Sequence, residues 1–154
     1  MNDEARHIIA KLGLEPLPQE GGWFRATWRT AAGSAIYFLI TAEDFSALHR
    51  LTTTEVWHFY AGDPVELTML DQRDGAVRVA RMSGDVSGPD VAQIVVPGGV
   101  WQGARLAMGG RHGWALLGCT MAPAWTEQDF ELGRPAELLR LFPSAAEQIA
   151  ALTR

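Results

Sequence analysis

Between residues 23 and 121 the chain is a series of short runs rich in aromatic and β-branched residues, separated by glycine, proline and threonine-rich turns. The runs fall at 23–30, 35–41, 45–51, 55–60, 65–70, 91–96, 101–106 and 113–121. Their residue types suit strands, and Asp74-Gly75 between Leu70 and Val77 is a strong hairpin signal. Many short strands at near-regular spacing predict an all-β sandwich or barrel over about 23–122. Helices flank it. Residues 3–12 carry Ile8, Ile9 and Leu12 on one side, with Asn2 or Asp3 to cap the start and Gly13 to close the end. Residues 14–22 are turn-rich, and Pro16 and Pro18 forbid a central strand there. C-terminal helices are predicted over about 135–152. The first spans 135–141, and Ser144 with Glu147 offers a capping box for the last, which carries Ile149 and Leu152 on one face. With no internal repeat and no low-complexity linker, one domain over 1–154 is expected.

Composition narrows the partners. A net charge of −5, with Lys11 the one lysine, argues against a nucleic-acid partner, because phosphate binding needs a basic face. No run is long enough to span a bilayer, and residues 1–11 lack the pattern of a signal peptide. Cys119 is the one cysteine and cannot form an internal disulfide, so a cytoplasmic location is expected and the thiol reads as a small buried apolar group.

Strand parity gathers the candidate site. His49 and Leu51 share a face, as do Glu55, Trp57 and Phe59, and as do Gln102, Ala104 and Leu106. If His49 and Glu55 point inward, the interior holds one imidazole, one carboxylate and one amide among large aromatics. Apolar walls with a few convergent polar groups suit a small-molecule ligand. His49, Glu55 and Gln102 are also the candidate metal ligands, for a weakly held divalent ion such as zinc, nickel, iron or manganese. Without metal, His49 suits a general base oriented by a buried carboxylate, and Tyr37 is the candidate acid. Arg25 is placed to reach an anionic substrate group. His58 has the opposite parity to Glu55 and faces away, Trp101 faces away from Gln102 and serves packing, and His7 and His112 are solvated.

The spacing His49-x5-Glu55-x6-Gly62, followed by Pro97-x-Gly99-x2-Gln102, resembles the two motifs of the cupin superfamily. In that family three histidines and a glutamate hold a metal inside a β-barrel. Here Leu51 and Gln102 stand at the second and third histidine positions. Longer runs resemble one branch, RmlC-like single-domain cupins of unknown function. They are Glu20 to Arg25, Ala35 to Leu39, Glu55 to Pro64, Val96 to Gln102 and Gly118 to Pro123. Gln102 is usual in that branch, whereas its His-Pro-Glu-Gly-Gly segment is replaced by Leu17-Pro18-Gln19-Glu20-Gly21-Gly22. The resemblance implies a jelly-roll barrel (a double-stranded β-helix) with flanking helices. It also implies a homodimer in which the strand at 23–30 crosses to the partner's sheet. Sugar-nucleotide epimerases of the superfamily use an imidazole base with a tyrosine acid. The competing expectations are therefore a small-molecule-binding cupin with a weakly held metal, and a sugar or sugar-nucleotide isomerase or epimerase. A metal-dependent oxygenase ranks last, since it needs a firmer donor set.

Overall fold

The strand-forming runs pair into two antiparallel sheets in the computed structural model, which describes residues 1–154. The strands are β1 (Glu15–Pro16), β2 (Trp23–Thr30), β3 (Gly33–Thr41), β4 (Ser46–Leu51), β5 (Glu55–Gly62), β6 (Val65–Asp71), β7 (Ala76–Met82), β8 (Gln93–Val96), β9 (Trp101–Leu106), β10 (Trp114–Met121) and β11 (Phe130–Leu132). The first sheet runs β1-β2-β3-β10-β5-β8 and the second β11-β4-β9-β6-β7. The helices are α1 (Asp3–Leu12), α2 (Pro135–Leu141) and α3 (Ala146–Ala151). None is long and apolar enough to cross a membrane.

The sheets face each other across one apolar interior. Phe38, Ile40, Trp57 and Leu117 from the first sheet meet Val65, Leu67, Met82 and Ala104 from the second. Each sheet also carries a helical cover. Ala5, Ile8 and Leu12 of α1 pack against Leu39 and Trp114 on the outside of the first sheet. Leu138, Phe142, Ile149 and Leu152 pack against Leu48, Leu70 and Trp101 on the outside of the second. Trp101 thus faces outward to the helices, as its parity predicts, with the Arg50 guanidinium 4.6 Å from its ring centroid.

Local chemistry accounts for the ends of these elements. The Asn2 side chain accepts from the Ala5 N–H, and Gly13 closes α1 in the left-handed conformation. Asp63, in the turn after β5, accepts from the Arg111, His112 and Gly113 amides and ties two loops together. Burial pushes the Asp63 carboxyl up, but those amides more than reverse it and hold the group below its ordinary value. Gly62 before it has φ +97°, and a Cβ there would run into Trp114.

The expected capping box does not form. Pro143 suits the first position of a helical turn, so a 3-10 turn begins there and spans Pro143–Ala145. Ser144 is drawn inside it, and α3 starts after Ala145 with no side-chain cap.

Candidate functional site

His49 and Gln102 are register partners across β4 and β9, and Glu55 opens β5. All three are buried: His49 is 2% exposed, Gln102 1% and Glu55 8%. One relay fixes their hydrogen bonds. An indole N–H can only donate, so Trp57 Nε1 takes the Gln102 oxygen at 2.8 Å. That turns the Gln102 Nε2 toward Glu55, to which it donates at 2.7 Å. Burial pushes the Glu55 carboxyl up from 4.5 to about 7. His49 pulls the other way, Glu20 adds to the rise, and the Gln102 bond lowers it.

His49 is oriented by its own strand. Its Nδ1 lies 2.8 Å from the Ala47 carbonyl, which can only accept, so Nδ1 carries the proton. In the neutral ring the lone pair is then on Nε2. One face of the imidazole stacks on Phe130 with ring centroids 5.5 Å apart. Cys119, fully buried beside Glu55, has its thiol pushed well up by burial and by the neighbouring carboxylates, which keeps it an inert apolar group.

Two residues at this centre escaped the sequence reading. Glu20 Oε1 accepts from Ser46 Oγ at 2.7 Å and lies 4.0 Å from His49 Nδ1. Its backbone carbonyl accepts from the Ala47 N–H, so the segment is strapped along β4. Positive φ at Gln19, Gly21 and Gly22 turns the chain to make this approach. A Cβ on Gly22 would lie 2.7 Å from the Phe38 ring. The Glu20-Gly21-Gly22 run was the available signal. The other is Phe130, on the three-residue β11, whose partner strand is β4.

A family profile described as cupin superfamily (DUF985) matches residues 6–133. The chain belongs to this cupin family. A crystal structure of a protein from Shewanella oneidensis is 31% identical over 100% of this chain and 99% of that one, with a TM-score of 0.89. A hypothetical protein from Leishmania major is 31% identical over 97% and 98%, with a TM-score of 0.90. A dTDP sugar isomerase from Desulfovibrio desulfuricans shares the fold, at 15% identity over 84% and 85% and a TM-score of 0.59. No curated protein matches the chain. The two facing sheets are thus the jelly roll of a cupin, with helices on both flanks.

The cupin barrel brings together His49, Glu55, Gln102 and Trp57, leaves Phe59 farther along the interior face of β5, and places Tyr37 and Arg25 elsewhere. Ile36, Phe38 and Ile40 fill the interior, so Tyr37 points to the opposite face of β3. There it packs beneath α1 and meets Tyr60 edge-on at 6.1 Å. Tyr37 therefore cannot be the acid of this centre. Arg25 is its register partner on β2 and donates to the Leu12 carbonyl at 2.8 Å, where a cation suits the end of α1. It does not reach the site. Trp57 is fully buried and edge-on to Phe38 at 5.8 Å, so it plugs the inner barrel rather than lining open space. Phe59 is half-buried against the same interior cluster. His58 faces outward and bonds Thr120 and Gln93.

Cupins are known for metal centres, and the residues here do not fit one. Leu51 offers no donor, and the Gln102 oxygen is held by the Trp57 indole. Turning the amide over would set two donors against each other at Trp57. Glu20 approaches the protonated Nδ1 side of His49, not the free Nε2. One imidazole and one carboxylate remain, short of the three protein ligands of a stable site.

Proposed function

We propose that this cupin binds a small carbohydrate-type molecule at His49 and isomerises or epimerises it by proton transfer, without a resident metal. The observation that carries the reading is the pairing of an oriented imidazole with a carboxyl whose pKa is raised to about 7. An imidazole whose Nε2 lone pair is fixed in place and a carboxyl that burial keeps protonated can serve as base and acid. His49 Nε2 removes a proton from a carbon next to a carbonyl. The electron pair moves into the new carbon–carbon double bond and the carbonyl π electrons move to oxygen. The Glu55 carboxyl gives its proton to that oxygen, leaving an enol and a carboxylate. Reversal with the proton delivered to the other face gives the epimer, Glu55 taking its proton back from the same oxygen. Where the deprotonated carbon bears a hydroxyl, Glu55 instead takes that hydroxyl's proton as the new carbonyl forms there, and His49 returns its proton to the former carbonyl carbon to give the isomer. Glu55 takes the role expected of Tyr37, and its Oε1 is the oxygen not held by Gln102. The sugar isomerase at 15% identity supports the fold alone, so the acid–base argument rests on this chain's own residues.

A thermal-shift screen with free sugars, nucleotide sugars and carboxylic acids finds the ligand, since a molecule that prefers the folded state raises its Tm. The stabilising compound is then incubated with protein in D2O and followed by NMR. Deuterium should enter one carbon position, and His49→Asn should abolish that exchange while the Tm is retained. Exchange that persists in the variant rules out His49 as the base. Binding without any exchange leaves the plain ligand-binding reading.

The proposal includes a cytoplasmic homodimer. After Trp23 and Phe24 pair with β1, the rest of β2 has a free edge. On the outer face of the same sheet, Trp28 of β2, Tyr60 of β5 and Val95 of β8, at the far edge, are about half exposed. Monomeric proteins rarely leave such a face bare. Light scattering should give twice the 16.8 kDa chain mass, and Trp28→Glu with Val95→Glu should return a folded monomer. A wild-type mass of one chain overturns the dimer.

A further inference from the structure

Phe130 borders two different spaces. One face of its ring stacks on the His49 imidazole. The residue also lines a surface cleft of about 380 Å³ between the Gly98-Gly99 turn and β11, walled in part by Arg50, Thr52 and Asp129. The buried imidazole and the solvent-filled cleft are thus separated by one half-exposed aromatic side chain.

We infer that this cleft is the outer half of the ligand site and that the Phe130 ring is the gate between it and His49. The inference rests on the proposed function in taking His49 as the ligand's destination. The gate can move at small energetic cost. β11 is three residues long and lies at the edge of the second sheet, beside β4. Its one side-chain tie is the Arg50–Glu131 ion pair, exposed to solvent and so a weak fastener, while Asp129 just before it bonds Thr52 and Thr126. Rotation about the Phe130 Cα–Cβ bond alone takes the ring off the imidazole to another staggered position. The imidazole face that Phe130 covers is then open to an incoming molecule.

The lining names the chemistry. The one guanidinium, Arg50, is already paired with Glu131, and Asp129 adds a second carboxylate, so the cleft is not a phosphate site. Asp129 is held below its ordinary pKa by Thr126 and Thr52 and is ionised at neutral pH. Carboxylate acceptors, a hydroxyl at Thr52 and an aromatic surface suit a neutral polyhydroxyl ring. Its hydroxyls donate to the acids and its C–H face lies on Phe130. Close approach is open at Gly99, where a Cβ would meet nothing within 4 Å. A free sugar fits this description, and a sugar carrying a diphosphate does not.

Diethylpyrocarbonate, which acylates an unprotonated imidazole nitrogen, tests the gate without a ligand. Peptide mass spectrometry reads the rate at each histidine. Phe130→Ala should speed modification of His49 at least about tenfold, the reaction being limited by the fraction of open gate. His58 and His112 should keep their wild-type rates. Phe130→Leu, which keeps an apolar contact for β11 without a flat ring, is the second variant should the alanine protein fail to fold. It should give a smaller rise in the same direction. An unchanged His49 rate in a folded variant, or a parallel rise at His58, overturns the gate. In the same thermal-shift screen, free aldohexoses should outrank inorganic phosphate and a nucleoside diphosphate, and the reverse order overturns the sugar assignment. The outcomes separate cleanly. If the gate opens but His49→Asn leaves proton exchange intact, the chemistry falls and the gate stands. If exchange is lost in His49→Asn but Phe130→Ala changes nothing, the gate falls.

Discussion

Glu55→Gln should make this cupin more stable than wild type at pH 8 and should flatten its stability between pH 5 and pH 7. The cause is burial. In the folded protein the Glu55 carboxyl releases its proton near pH 7, whereas in the unfolded chain it does so near 4.5. Below 4.5 both states hold the proton and Glu55 costs nothing extra. Between the two values the folded state holds a proton that the unfolded state has released, so each step up in pH favours unfolding. Above 7 both are ionised and the full penalty stands, on the order of 3 kcal/mol by linkage. Glutamine carries no charge to bury. Its oxygen can accept the Gln102 N–H that Oε2 accepts now, and its amide fills the same space beside Cys119. Urea midpoints at pH 5 and pH 8 give the answer. Wild type should lose stability across that interval and the variant should not. An equal loss in both proteins would show that Glu55 is ionised throughout. The substitution also removes the acid of the proposed reaction, so a more stable protein should be an inactive one, as happens when a strained active-site group is relieved.

The sequence carried the barrel well and the orientation of its parts unevenly. β2 and β9 have the bounds expected from composition, because aromatic and β-branched runs between glycine turns leave few alternatives. Parity likewise placed Glu55, Trp57 and Phe59 on one face, and His58 on the other. It gave no direction for Tyr37, because β3 is apolar on both faces. The interior takes Ile36, Phe38 and Ile40, while α1 covers Leu39 and Tyr37 from outside, so no polar alternation remains to read. Arg25 went with it, as the register partner of Tyr37. Glu20 was hidden for another reason. Its inward aim depends on backbone angles at Gln19, Gly21 and Gly22, which composition marks only as a turn. β11 is a strand because β4 pairs with it, not because of its own residues, so Phe130 was invisible until the sheets were assembled. The Gln102 amide is the most instructive case. Its identity was plain, but which end faces Glu55 is decided by an indole 45 positions away.

That indole predicts the largest loss of stability. Trp57→Ala should cost about 3–5 kcal/mol for the missing core volume, and about 1–3 kcal/mol more for leaving the Gln102 oxygen without a donor. A domain of this kind has on the order of 5–15 kcal/mol in total, so the variant should be largely unfolded or close to it. Trp57→Phe separates the two contributions. A phenyl ring keeps most of the volume and the edge contact with Phe38, but it has no N–H for Gln102. It should therefore cost about 1–3 kcal/mol, read from urea unfolding followed by far-UV circular dichroism. The phenyl variant also frees the amide to turn over. With its oxygen toward Glu55, the amide can only accept from that group, which favours the protonated carboxyl and carries its pKa above 7. The fall of stability with pH should then extend to a higher pH than in wild type. A variant that loses stability with no such extension would mean that Gln102 is held by Glu55 itself, and that the amide oxygen is kept from the interior by something other than the Trp57 indole.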